Sequence, residues 1–310
     1  MRRLEGFQGL RPEVFRRPVV AIGVFDGVHR GHRHVLEELR AFADQEGGEA
    51  VVITFDTHPR AVLEGAAPRP LLSLEHRLLL LDRLGVDATI VLPFDPEVRD
   101  TTYERFVEEV LVRGLGIRGL LFGYNTNFGK DGAGTFATVG PLARRHGFAI
   151  REAPPIAVRG QPVSATRIRA AVERGDLAEA EDLLGRPHAL YGTVVHGDGR
   201  GRTLGFPTAN LDLHGELLPP PGVYQVVAGL RGQRYAAVAN VGRRPTFAGE
   251  APVRPLVEVH VPGIAFSFYG ETLEVELVRK IRDEVRFPDR DALVAQIRRD
   301  VASLGTPPAP

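Results

Sequence analysis

Short apolar runs alternate with amphipathic stretches through the first half of the chain. Residues 19–24, 50–55, 88–92, 119–122 and 148–151 are continuously rich in Val, Ile or Leu, the pattern of strands buried on both faces. Between them, residues 31–43, 73–84, 101–113 and 139–146 carry apolar positions at helical spacing. Strands and helices repeating in this order predict a parallel sheet with helical crossovers, a doubly wound α/β domain over residues 18–152. Ligands of such sheets bind beyond the carboxyl ends of the strands, where the strand order reverses.

The pattern then changes. After Ala153-Pro154-Pro155, residues 163–185 read as helical, with Asp176 and Glu179 spaced as a capping box and Gly185 as a helix stop. Beyond it, residues 190–196, 222–230, 234–241, 256–261 and 272–279 read as strands joined by Gly/Pro turns with no intervening helix. That spacing predicts an antiparallel barrel or sandwich, followed by an amphipathic helix over residues 291–304. A length of 310 residues suits two cores, and the limits read from the pattern are 1–185 and 186–310.

Charge and composition narrow the chemistry. Lys plus Arg equals Asp plus Glu at 39 each, so no net field draws the chain to nucleic acid. Only Lys130 and Lys280 are lysines; the remaining cations are arginines. The absence of cysteine excludes disulfides, thiolate zinc sites and cysteine nucleophiles, and fits a reducing compartment. No apolar run approaches the ~18 residues of a membrane span, and the basic start lacks the apolar stretch of a secretion signal. The expectation is a cytoplasmic protein with no membrane or nucleic-acid partner.

The segment GVFDGVHRGH, residues 23–32, closes the first apolar run and opens the first helical pattern. Backbone N–H groups at a helix start lack intrahelical partners and lie at the positive end of the macrodipole, so they favour an anion. His29 and His32 are spaced to share one helix face and donate to one phosphate chain. Taken alone, the pair also reads as surface histidines or as metal ligands lacking a third member. The Asp26-Gly27 pair reads equally well as turn chemistry. The longer segment resembles the signature of the nucleotidylyltransferase superfamily. With TFDTHP (54–59), FGYNTNFGKDGAGT (122–135) and VSATRIR (163–169), it resembles the adenylyltransferase module of bacterial bifunctional riboflavin kinase/FMN adenylyltransferases, also called FAD synthetases. That likeness implies an ATP site lined by Gly23, Phe25, His29 and His32. It also implies Asn125 where flavin and nucleotide meet, and Ser164, Thr166 and Arg167 closing over the phosphates. Ser164 and Thr166 read equally as helix N-caps. Ala165 stands where the family has a second serine, and Thr126 with Asn127 replace an aromatic and a basic residue.

A second constellation lies at GDGRGRTLGFPTAN, residues 197–210. Gly197, Gly199, Gly201 and Gly205 let backbone approach phosphate, and Arg200 and Arg202 add charge. Such a segment alone is more often a turn. With PTAN at 207–210 it resembles the defining motif of riboflavin kinases, which implies Thr208 and Asn210 as Mg2+ ligands and Gly199 and Arg202 as nucleotide contacts. Oxygen donors suit that hard cation. In residues 256–261 alternation sends Val257, Val259 and Val261 to one face and Glu258 and His260 to the other. The match of LVEVH to the kinase active-site strand implies Glu258 as general base and leaves His260 open. GVYQV, ANVGRRPTF, FYGETL and IRDEVRF extend the likeness. Tyr224, Phe247 and Phe287 fit either a flavin stack or the core. Arg282 and Glu284 fit a flavin clamp or a pair.

The resemblance thus implies a nucleotidylyltransferase domain followed by an antiparallel β-barrel kinase domain with a carboxy-terminal helix. Riboflavin and ATP would give FMN, and FMN and ATP would give FAD. A different acceptor for the first domain, or a flavin-binding regulator without turnover, are the competing readings. P-loop and Rossmann glycine signatures are absent, and no histidine and carboxylate cluster has zinc spacing.

Overall fold

In the computed structural model, residues 1–63, 65, 68–197, 199–244, 254–264 and 268–305 are described. The chain divides into two compact units, residues 1–70 with 74–165, and residues 71–73 with 166–310.

The first unit is built on a six-stranded sheet. Its elements run β1 (Arg2–Glu5), β2 (Val19–Ile22), α1 (Arg30–Gln45), β3 (Ala50–Phe55), α2 (Pro59–Leu63), α3 (Leu74–Arg83) and β4 (Ala88–Leu92). They continue with α4 (Pro96–Asp100), α5 (Tyr103–Arg105), β5 (Gly119–Phe122), α6 (Phe136–His146) and β6 (Ala149–Glu152). The strand order is β1-β4-β3-β2-β5-β6, and the pairings are parallel. The order reverses between β3 and β5, which flank β2, so the loop leaving β2 lies at the switch point. Val20, Ile22, Val51, Ile53, Ile90, Leu92, Leu120 and Phe122 point into a core shared with Val107, Leu111 and Val139 of the helices. The continuous apolar runs follow from this burial on both faces. Residues 101–113, expected as one helix, instead pass from α5 into wide π turns over Phe106–Leu115, ended by Gly116 at φ 62. A short hairpin, β7 (Ala157–Val158) and β8 (Gln161–Pro162), follows the sheet.

The second unit opens with α7 (Ala165–Arg174) and α8 (Leu177–Leu184). Asp176 caps α8 by accepting from the Glu179 N–H, and Gly185 ends it at φ 76. The Glu179 carboxylate pairs with Arg174 at 2.7 Å instead of completing the box. Six strands follow: β9 (Ala189–Val195), β10 (Ala209–Asp212), β11 (Gly222–Leu230), β12 (Gln233–Arg244), β13 (Arg254–His260) and β14 (Thr272–Arg282). A one-turn helix, α9 (Arg200–Thr203), lies between β9 and β10, and α10 (Arg290–Ala302) ends the fold. The strands close into a barrel in the order β10-β13-β12-β11-β14-β9, which decides between barrel and sandwich. Val257 and Val259 of β13 meet Ala209, Ala239, Tyr224 and Val226 inside it. Tyr224 is fully buried with its hydroxyl on the Pro220 carbonyl, so it is core and not a flavin platform. Burial pushes its phenol up to about 12. Phe247 and Asp198 lie outside the described residues.

The compact units part between Ala165 and Thr166, twenty residues before the limit read from the pattern (185 less 165). Helices α7 and α8 therefore cluster with the barrel, and Leu177 of α8 packs against its core.

Candidate active sites

The first site is made where β2 runs out. Gly23 continues the ladder by donating to the Ile53 carbonyl at 3.0 Å, and the chain then turns back on itself, with Val28 donating to Phe25 at 3.1 Å. Phe25 (φ 53), Gly27 (φ 81) and Val28 (φ 40) all adopt left-handed backbone. For a phenylalanine and a β-branched valine this is costly, and such strain persists where the surroundings over-determine it. Phe25, Asp26, Val28 and His29 are buried. A Cβ on Gly23 would stand 3.1 Å from the Phe25 ring, and one on Gly31 would stand 3.2 Å from the His29 ring. The two glycines let both rings fold back over the turn.

His29 is not on the helix. It is the N-cap of α1, with extended backbone (φ −76, ψ 175), and its Nδ1 accepts the His32 N–H at 3.2 Å. An accepting Nδ1 places the proton of the neutral ring on Nε2. The two imidazoles stack with centroids 3.6 Å apart and 16° between planes, and the Phe25 ring meets His32 edge-on at 5.2 Å. The histidines are brought together as expected, but as a stacked cap and first-turn pair and not as neighbours on one face. His32 Nδ1 is buried with no hydrogen-bond partner. Burial, then the nearby His29 and Arg77, hold the His32 pKa well below its usual value, so the ring is neutral at physiological pH.

Asn125 lies in the loop leaving β5, the strand beside β2, exposed and in left-handed backbone at φ 59. Thr126 closes that turn by donating to the Gly123 carbonyl at 2.9 Å. Ser164 stands directly before α7, and Thr166 lies inside the first turn, which removes Thr166 as a cap. Thr166 and Arg167 belong to the second compact unit, where Arg167 lies 3.8 Å from Glu179.

In the barrel unit the glycine segment contains the single turn of α9. A Cβ on Gly197 would fall 2.2 Å from the Asn210 amide nitrogen, and one on Gly201 would fall 2.5 Å from the Phe206 carbonyl and 3.0 Å from Thr208 Oγ1. Gly199 and Gly205 meet nothing but hold φ of 68 and 87. Two of the glycines are thus required by close approach to the PTAN residues, and two by backbone conformation. Arg202 is exposed.

The strand registers bring the remaining groups together. Glu258 of β13 lies opposite Asn210 of β10 and opposite Asn240 of β12. Directly opposed residues share a sheet face. Asn210, Glu258 and Asn240 therefore form a polar row across three strands, back to back with the buried row of Ala209, Val259 and Ala239 that registers beside it. Asn240 lies within ANVGRRPTF, but nothing in sequence reveals which residue faces Glu258, because register is a tertiary property. His260 Nδ1 donates to the Pro207 carbonyl at 2.8 Å and packs edge-on to Phe206 at 5.4 Å. It braces the PTAN turn. Arg282 pairs with the buried Asp300 of α10 at 2.9 Å and not with Glu284, whose carboxylate lies over Gly242.

The Asn210 Oδ1 is buried without a partner. An orphaned carbonyl oxygen beside the Thr208 segment fits a hard cation that takes few protein ligands and completes its shell with water and phosphate. Among the described residues no group of three or more His, Asp or Glu side chains is arranged to hold a metal.

Comparison with known proteins agrees with this division. A family model described as FAD synthetase matches residues 11–167, and one described as riboflavin kinase matches residues 184–306. The bifunctional riboflavin kinase/FMN adenylyltransferase of Haemophilus influenzae is 39% identical over 91% of this chain and 91% of its own length. That of Pseudomonas fluorescens is 37% identical over 100% of this chain and 99% of its own. A crystal structure described as a macrolide-efflux protein from Streptococcus pneumoniae has a TM-score of 0.82 at 31% identity, covering 97% of this chain and 98% of that one. Among the described residues of this chain no helix is long and apolar enough to cross a membrane. The chain belongs to the bifunctional riboflavin kinase/FMN adenylyltransferase family, with an FMN adenylyltransferase part at the amino end and a riboflavin kinase part at the carboxyl end.

Proposed function

We propose that the two constellations are the two reaction centres, with residues 1–185 carrying adenylyl transfer and residues 186–310 carrying phosphorylation. In the barrel, Glu258 takes the proton of the riboflavin 5′-hydroxyl as its oxygen attacks the γ-phosphorus of ATP; ADP leaves and FMN forms. Thr208 and Asn210 hold Mg2+, which neutralises charge on the phosphates, and Gly199 and Arg202 contact the nucleotide. Asn240, aligned with Glu258, orients the carboxylate or the hydroxyl. The observation that carries this reading is the cross-strand alignment of Glu258 with Asn210, whose buried oxygen lacks a partner.

At the switch point of the sheet, a phosphate oxygen of FMN attacks the α-phosphorus of ATP and pyrophosphate leaves. No proton needs removal from an ionised phosphate, so positioning and donors do the catalysis. Gly23 and Phe25 line the nucleotide site, and the stacked His29 and His32 donate to the phosphates from the α1 N-terminus. Asn125 sits between flavin and nucleotide, and Ser164, Thr166 and Arg167 close over the phosphate chain, the guanidinium forking onto its oxygens. The substrates and a cysteine-free chain support a cytoplasmic location.

The test is a flavin time course. Purified protein incubated with riboflavin, ATP and magnesium should give FMN first and FAD later. His29→Ala should accumulate FMN. FAD formation by His29→Ala at the wild-type rate would refute the first assignment.

A further inference from the structure

Arg77 of α3 belongs to none of the family segments quoted above, yet its side chain ends at the carboxyl edge of the sheet. It is 6% exposed. One guanidinium nitrogen donates to the Val24 carbonyl at 2.7 Å and another to the Phe55 carbonyl. Val24 immediately precedes left-handed Phe25, and Phe55 ends β3 beside it. The Thr54 hydroxyl donates to the same Val24 carbonyl at 3.3 Å. Arg77 Nε is buried without a partner. Burial lowers the guanidinium pKa to about 10, against the raising effect of Asp26 and Asp56.

A buried guanidinium held by two carbonyls is an expensive way to fill space, since a methionine of similar volume fills it without desolvating a charge. The position therefore asks for the fork and the charge. The fork ties together the exits of β2 and β3, which fixes the strained turn on which Phe25 and His29 stand. Behind burial, the larger cause, the charges of His29 and Arg77 also lower the His32 pKa. We propose that Arg77 is a positioning residue for adenylyl transfer: through the Val24 and Phe55 carbonyls it pins the Val24–Phe25 turn on which His29 and its stacked partner His32 stand. The inference rests on reading Gly23 to His32 as the adenylyl site.

The test uses the full-length protein and supplied FMN, with riboflavin phosphorylation by the same preparation as internal control. Arg77→Met should lower kcat for FAD formation by about tenfold or more, the scale of a lost charge-assisted hydrogen bond, with KM for ATP changed less than about threefold. Removing the neighbouring cation lets His32 protonate more easily, so the acid limb of the pH profile should move to higher pH. Arg77→Lys keeps one charge but cannot fork to two carbonyls, so its limb should stay at the wild-type position while kcat falls. Wild-type kcat in either variant overturns the proposal. So does a KM for ATP that rises as much as kcat falls in Arg77→Met, which marks a general disruption of the site and a merely structural role. Should Arg77→Met fail to fold, Arg77→Lys decides alone: a fallen kcat with KM for ATP changed less than about threefold supports the proposal, and wild-type kcat overturns it. If the wild-type protein forms no FAD, the reading of the site fails instead.

Discussion

Replacing Gly197 with alanine probes the kinase centre through a single methyl group. The added Cβ would fall 2.2 Å from Asn210 Nδ2, 2.5 Å from Cγ and 2.7 Å from Oδ1, against ordinary contact at 3.4–4 Å. Asn210 cannot swing clear as the end of a long side chain would, because it is short, 8% exposed and seated in β10 between β9 and β13. Gly197 is not in left-handed backbone, so alanine adds no torsional strain and the effect is displacement alone. The amide, or the glycine segment, must move by about 1 Å, and a misplacement of that size at a reacting centre costs roughly a hundredfold. Riboflavin phosphorylation should fall by that factor, with a higher magnesium requirement, while adenylylation of supplied FMN stays at the wild-type rate. Gly232→Ala, in the turn between β11 and β12, is the control, since its Cβ meets nothing and φ 76 costs only about 1 kcal/mol of loop stability. Wild-type kinase activity and magnesium dependence in Gly197→Ala would refute the assignment of Asn210 as a ligand.

Two further outcomes follow from burial and charge. The folded His32 pKa lies well below 6.5, so the unfolded state binds the proton more readily. Stability from this residue is present above pH 6.5 and is lost as pH falls from 6.5 toward the folded value. Thermal melts of His32→Gln should show a weaker decline over that window than the wild type, and an equal decline would contradict the buried neutral ring. Asp300 is 3% exposed and pairs with Arg282 while accepting from Gln296 at 2.8 Å. Asp300→Ala strands a partly buried guanidinium and should cost about 3 kcal/mol by denaturant unfolding, at the lower end for such pairs because Arg282 is one-fifth exposed. A change within measurement error would show that the pair holds nothing together.

The interior strands of both units are legible because burial on both faces, or strict alternation, leaves a local signature. Strand β1 is not, because Arg2, Arg3 and Glu5 are exposed on a sheet edge and read like any charged stretch. Strand β10 is four residues long and hides inside the glycine and PTAN segment. Helices α7 and α8 are visible as helices, but amphipathic spacing does not say which core receives Leu177, and the division at 165/166 follows from packing alone. Spacing brings His29 and His32 together, yet whether the first caps the helix or lies on it depends on where the helix begins. The alternation in β13 places Glu258 on the face away from the core, whereas its alignment with Asn210 and Asn240 depends on register, set by the barrel as a whole.

The claim of two separate ATP-dependent centres is tested most directly by Glu258→Gln, with flavins resolved after incubation with riboflavin or with FMN. The expected result is no FMN from riboflavin and a wild-type rate of FAD from FMN. Loss of both conversions in a folded protein, or retention of both, would contradict it.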